Sequence, residues 1–233
     1  MPVAGRIARA LTAAGPSPTL VTRIEDVRWL TGFTGGTAQA MLDPDEGECV
    51  LFVDGRYAER AAAELGSHSV VARIVVPEPG REIDDIVASI AGDRVVSVDL
   101  RHVSAARANG LTQQVTLVDR RGTFDLLRRT KDEDEIAVME RCASVADAAL
   151  ARVLSDGLVG RTERQVRNRL DSTMMELGAD RPGFDTIVAT GPNGARPHHE
   201  PGDTTIEDGH MVTVDFGAEI DGYRSDMTRT IRV

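Results

Sequence analysis

The stretch MVTVDFGAEIDGYRSDMTRTIRV, residues 211–233, decides the fold. Val212, Val214 and Phe216 alternate with Thr213 and Asp215, the two-residue period of a half-buried strand. A turn is expected around Ile220, Asp221 and Gly222, with a second strand returning to Val233. With the turn centred between Ile220 and Asp221, Asp215 falls directly across from Asp226, Thr213 from Thr228 and Val214 from Met227. One face of this hairpin is apolar and the other carries two carboxylates. Opposed carboxylates stand ~4.5–5.5 Å apart at Cβ, and like charges so placed destabilise the pair. A divalent cation between them would compensate, since carboxylates are hard oxygen ligands, and metals bridged in this way can activate a water. A solvated face, with both aspartates contacting only water, satisfies the same spacing.

Upstream of the hairpin, Asp185–Ala189 reads as a further strand. A loop rich in glycine and proline follows, with Asn193-Gly194 as a turn signal and His198 directly after Pro197. On its surroundings alone a histidine in such a polar loop reads first as an exposed side chain, although an imidazole can also donate a hydrogen bond where negative charge develops. His199 and Glu200 read as loop residues, with His199 a candidate for lining a substrate pocket. His210 suits a turn leading into the strand that begins at Met211.

Two helices precede these strands. Thr130 and Glu133 match a capping box. Behind them Ile136, Met139, Ala143, Ala146, Leu150 and Val153 form one helical face. A second box, Thr162 and Gln165, opens a helix with Val166, Leu170, Met174 and Leu177 inward and Gly178 at its end. Two helices followed by strands make an α+β domain.

The first ~125 residues have a different rhythm, short apolar runs alternating with helical patterns, as in a layered α/β domain. The expected strands are Thr19–Thr22, Gln39–Leu42, Cys49–Val53, Val70–Val76, Val95–Val98 and Val115–Val118. The expected helices are Arg6–Ala14, Arg56–Leu65, Asp84–Ala91 and Ser104–Asn109. The pattern changes near Arg128–Thr130, which sets domains of 1–127 and 128–233.

Composition narrows the partners. Hydrophobic residues make up 41% of the 233 residues, so each half can bury a core, and the net charge is −10. An acidic surface disfavours nucleic acid and anionic membrane, which need a positive footprint. No run of ~18 apolar residues is present to span a bilayer. Cys49 and Cys142 match no metal spacing and read as free thiols of a reducing cytoplasm. No lysine-serine or lysine-threonine pair follows Gly35-Gly36, and no Gly-x-Ser-x-Gly elbow occurs, so a phosphate loop and a serine hydrolase lack support.

Several blocks resemble the Xaa-Pro aminopeptidase, prolidase and creatinase group. They are Asp26-Val27-Arg28-Trp29-Leu30-Thr31-Gly32-Phe33-Thr34-Gly35, Val53-Asp54-Gly55-Arg56-Tyr57, Arg129 through Ile136, Phe184 through Ala189, Pro197-His198, Val214 through Gly217, Gly222-Tyr223 and Ser225 through Thr230. They run in collinear order over nearly the whole chain. The resemblance implies a creatinase-type α/β N-terminal domain, which would wall the site and limit substrates to short peptides. Behind it the resemblance implies an α+β catalytic domain of the pita-bread fold.

In that group two divalent metals, often manganese, cobalt or zinc, serve cleavage of the bond before proline. The substrates implied are short peptides with proline in the second position, and the assembly implied is a homodimer. Asp215 and Asp226 correspond to the first two of five metal ligands, and His198 to the histidine that contacts substrate and assists the tetrahedral intermediate. The other ligands, a histidine and two glutamates, lie further along in the group, and nothing up to Val233 matches them. Only the first half of the catalytic domain is therefore expected here, with a partial metal site and an inactive chain. Two rivals follow: a non-catalytic or truncated pita-bread protein used for binding or assembly, and a creatinase-like amidinohydrolase that works without metal. The presence of both aspartates favours the peptidase over the latter.

Overall fold

A computed structural model describes residues 3–233. The chain divides into two compact units, Met1–Lys131 and Asp132–Val233.

The first unit is a mixed sheet with helices on both faces. Its strands are β1 (Thr19–Val21), β2 (Ala38–Asp43), β3 (Glu48–Val53), β4 (Arg73–Val75), β5 (Val96–Val98) and β6 (Leu117–Asp119). They lie in the order β4-β3-β2-β1-β5-β6, antiparallel from β1 through β2 to β3 and parallel at the other pairings. Both faces are covered, so neighbouring side chains of one strand enter different cores. Cys49, Leu51 and Val53 face one, while Val50 and Phe52 face the other. This is why β3 reads as an unbroken apolar run. The Cys49 thiol, buried and beside the charge of Glu48, is pushed up to about 12. Both cysteines are free, as the sequence suggests.

The helices are α1 (Arg6–Ala14), α2 (Ile24–Thr31), α3 (Ala58–Ser67), α4 (Ile83–Ala91), α5 (Ala105–Leu111) and α6 (Thr123–Arg129). The pattern reading locates α1, α3, α4 and α5 but assigns no element to α2 or α6. Both are short. Their burial rests on Trp29 of α2, which meets Phe124 of α6 edge-on at 6.3 Å beneath the guanidinium groups of Arg6 and Arg9. Gly32 ends α2 in the left-handed conformation, φ 75°, and its N–H donates to the Arg28 carbonyl at 2.7 Å.

The second unit opens with α7 (Glu133–Ser155) and α8 (Glu163–Glu176). Its strands are β7 (Arg181–Pro182), β8 (Ile187–Thr190), β9 (Met211–Phe216), β10 (Ala218–Ile220), β11 (Tyr223–Arg224) and β12 (Met227–Arg232). They form two small sheets, β12-β9-β8 and β11-β10-β7. Val188, Val212, Val214 and Phe216 pack with Ala146, Leu150, Val166, Leu170 and Met174 of the helices in one core. Among the described residues no helix is long and apolar enough to cross a membrane.

Two local expectations need correction. The capping box of α7 is Asp132 with Glu135, not Thr130 with Glu133. The segment contains both registers two residues apart, and the helix adopts the one in which Glu135 also accepts the Tyr223 hydroxyl at 2.8 Å. Glu135 is therefore buried and Ile136 is 45% exposed, so the inward stripe runs through Glu135, Cys142, Ala146, Ala149, Leu150 and Val153. A glutamate hidden in the stripe conceals its true phase. The box of α8, Thr162 with Gln165, forms as the sequence indicates, although Leu177 at the far end is 38% exposed.

Candidate functional site

The hairpin supplies the carboxylates. In the β9–β12 ladder Asp215 lies opposite Thr228, Thr213 opposite Thr230, Val214 opposite Arg229 and Phe216 opposite Met227. The same register continues past Gly217, with Glu219 opposite Arg224 and Ile220 opposite Tyr223. Asp221 and Gly222 form the two-residue turn, with φ 52° and 75°, the positive pair that an Asp-Gly hairpin turn requires. The expectation that Asp215 and Asp226 oppose one another directly is thus corrected. The turn centre sits one residue later, and every cross-strand partner moves by two.

A slip of two preserves the face, because the side-chain period is two. Asp226 is exposed and lies one residue ahead of β12; extending the ladder's register by one residue would set it diagonally from Asp215. Diagonal neighbours lie ~7–8 Å apart, which relaxes the repulsion that direct opposition would impose. Asp215 is half-buried, and its Oδ1 accepts the Thr228 hydroxyl at 2.7 Å.

The backbone next to Asp226 is tightly placed. A Cβ at Gly217 would stand 1.9 Å from the Ser225 carbonyl oxygen. The Ser225 hydroxyl accepts the Ala218 N–H at 3.0 Å and donates to the Cys142 carbonyl at 3.1 Å. The hairpin is thereby pinned to α7 one residue before Asp226.

The loop between β8 and β9 supplies the histidines. It leaves β8 through a 3-10 turn, Gly191–Ala195. This turn lies on the polar side of β9, since a Cβ at Gly194 would be 3.6 Å from the Thr213 hydroxyl oxygen. Thr213 and Asp215 share that side. His198 is exposed, with a backbone φ of 56° in the left-handed region that non-glycine residues seldom occupy. His199 turns inward, its Nε2 2.8 Å from Glu163 Oε2. His210 closes the turn into β9, its ring Nδ1 3.1 Å from the Thr190 hydroxyl.

Glu163 is the residue the sequence reading passes over. It opens α8, and its side chain is completely buried. Oε1 accepts the Thr190 N–H at 2.8 Å and the Asn193 side-chain amide at 3.0 Å, while Oε2 also accepts the Gly202 N–H at 3.1 Å. Burial is the largest single influence and works against ionisation. The hydrogen bonds from His199, Thr190, Asn193 and Gly202 together outweigh it and hold the carboxyl below its ordinary range. An acid in the first turn of a helix equally suits an exposed residue favoured by the helix dipole. Nothing local in the sequence marks this one as buried.

Two carboxylates suit a divalent cation in donor type. They fall short in number: Asp215 and Asp226 offer at most four oxygens, too few to fill two coordination shells. Among the described residues no group of three or more histidine, cysteine, aspartate or glutamate side chains is placed to hold a metal ion.

Residues 5–130 match the model of the Creatinase/Prolidase N-terminal domain, and residues 137–233 match Metallopeptidase family M24. An uncharacterized peptidase of Bacillus subtilis is 32% identical over 224 residues, covering 92% of this chain and 60% of its own length. A Xaa-Pro dipeptidase of Pyrococcus furiosus is 39% identical over 107 residues, 46% of this chain and 31% of its own length. The solved Xaa-Pro dipeptidase from Bacillus anthracis superimposes with a TM-score of 0.88 at 30% identity, over 99% of this chain and 64% of that one. This chain thus spans under two thirds of the length of each.

Proposed function

This chain belongs to the creatinase/prolidase family, with a metallopeptidase family M24 region behind its N-terminal domain, and from that premise we propose that it serves hydrolysis of the bond between an N-terminal residue and proline. The observation carrying this reading is the shared side of β9. Asp215 projects there, the ladder's register extended by one residue would set Asp226 diagonally from it, and the turn leading to His198 lies over Thr213.

In this reading Asp215 and Asp226 supply the first carboxylate oxygens of a two-metal site for manganese, cobalt or zinc. A bound divalent metal supplies an activated water and polarises the scissile carbonyl. The residues of this chain do the rest. The Thr228 hydroxyl fixes the rotamer of Asp215 and leaves its other oxygen open. His198, exposed and without internal partners among the described residues, donates a hydrogen bond to the oxygen that gains charge. The substrates are short peptides with proline in the second position, and the working form is a cytoplasmic homodimer.

A second reading is a binding or assembly role without catalysis, which would need no more than the carboxylate pair, beside which, among the described residues, no third histidine, cysteine, aspartate or glutamate is placed to hold a metal ion. Metal retention and Xaa-Pro hydrolysis separate the two. In a form extended to the full length of its relatives, Asp215→Asn and Asp226→Asn are expected to lose metal and activity together. In that same form His198→Ala is expected to keep its metal while turnover falls about 10²–10³-fold, the usual cost of one donor to a developing oxyanion. Metal loss from His198→Ala would make His198 a ligand, and hydrolysis indifferent to both aspartates would sink the peptidase reading.

A further inference from the structure

We propose that Glu163 is the positioning residue of the loop that presents His198. The proposal rests on the peptidase reading for what His198 does, whereas the anchoring can be tested without it.

The case begins with donor and acceptor count. An ionised carboxylate offers about four lone-pair sites, and here each oxygen takes two donors. The donors are spread along the first part of the loop: the Thr190 N–H at its start, the Asn193 amide in its 3-10 turn, the His199 ring beside His198, and the Gly202 N–H four residues past His198. The backbone reinforces the stretch at Gly202–Thr204. The Arg164 N–H donates to the Gly202 carbonyl at 3.0 Å and the Glu163 N–H to the Thr204 carbonyl at 3.1 Å. One buried side chain therefore ties down the stretch from Thr190 to Gly202, which brackets His198, at four points.

The consequence falls on His198. Its neighbour His199 is drawn inward to Glu163, and His198 itself has a left-handed φ of 56°. A turn in that conformation with residue 199 held inside leaves the 198 side chain outside. Such backbone strain persists only where the surroundings over-determine it, and the Glu163 bonds on either side of His198 do so. Since an ionised carboxylate can only accept, His199 Nε2 must carry a proton. His199 is thus assigned as an anchor of the loop rather than a group that touches substrate.

The discriminating variant is Glu163→Gln, which keeps the shape but turns one acceptor oxygen into an NH2. The NH2 must meet two of the four donors, and His199 can relieve one clash by moving its proton to Nδ1. The expected signature has two parts. Amide hydrogen exchange at Thr190 and Gly202 rises by roughly tenfold, with Val212 and Val214 of β9 unchanged. The 15N signals of His199 report Nε2 as an acceptor instead of a donor. The milder Asn193→Ala, which removes one half-buried donor of the four, should raise exchange at the same amides by only about threefold.

In the hydrolysis assay on a full-length form, kcat should fall about 10²-fold in Glu163→Gln, as for a misplaced catalytic group, with KM and bound metal little changed. Exchange at Thr190 and Gly202 rising no more than in β9 would overturn the proposal. So would a loosened loop with kcat intact. A full-length form without Xaa-Pro hydrolysis, but with the exchange and 15N changes present, would sink the peptidase reading and leave the anchor standing.

Discussion

The loop carrying His198 and the hairpin carrying Asp215 and Asp226 are held in opposite ways. The loop has little regular backbone pairing, and one buried acceptor holds it, with every lone-pair site of Glu163 taken. The hairpin is held by its ladder, by the close approach at Gly217 and by Ser225, while its carboxylates look outward. Among the described residues Asp215 accepts a single internal hydrogen bond, from Thr228. A carboxylate that is internally satisfied organises protein, whereas one left open is free to take a ligand. On the proposed peptidase reading, the contrast separates the acid of the scaffold from the two that would take metal.

The strongest challenge to this contrast is a metal assay on residues 1–233 alone. With manganese added, release of the residue before proline should not exceed the metal-only background, because open carboxylates without further ligands hold metal weakly. Turnover comparable to that of a full-length relative would show that the ligands beyond this pair are dispensable.

Next in size is Gly217→Ala. The added Cβ meets a backbone carbonyl that cannot swing aside, so urea unfolding should show a loss of at least about 3 kcal/mol, the upper range for overpacking. A near-neutral result would mean that the hairpin is not fixed by its backbone.

A third test uses pH on the loop. The folded carboxyl of Glu163 lies below its ordinary value of 4.5. The unfolded state therefore takes up the proton first, and the stabilisation is complete above that value. It drains away as pH falls through the depressed folded-state pKa. The urea midpoints of wild type and Glu163→Gln should differ by a constant amount above about pH 5 and converge in more acidic solution. A gap that widens on acidification would reverse the assigned sign.

The smallest effect is expected from Thr228→Val, which removes the one hydroxyl donor to Asp215. About 0.5–1.5 kcal/mol should be lost, with β9 amide exchange otherwise unaltered. A larger cost would place Asp215 among the scaffold acids.

What was legible in the sequence followed the range of the forces involved. The Thr162–Gln165 box is a contact within one helical turn, and it forms as read. Strand β3 announces itself because burial on both faces demands apolar residues at every position. Helices α2 and α6 gave no comparable signal, because each is short and its burial depends on Trp29 meeting Phe124 from a distant part of the chain. The two-residue strands β7 and β11 are too brief to show a period. Within the site, the common side of Thr213 and Asp215 on β9 could be read from alternation. Register could not, since Ile220-Asp221 and Asp221-Gly222 are both plausible centres and the backbone at Gly222 chooses between them. Glu163 escaped because burying an acid is decided by four donors brought together only on folding.

The Asp221-Gly222 turn also sets a rule for how this segment can change over generations. Each residue added to or removed from one arm shifts the pairing by one and sends the following side chains to the other side of the sheet. An odd insertion between Asp215 and the turn, or between the turn and Asp226, would separate the two acids and expose Val214 or Phe216 in exchange. An even one would leave the acids together and move only their partners. Length variation in this arm should therefore arise in pairs of residues, a constraint imposed by strand parity before any selection on catalysis.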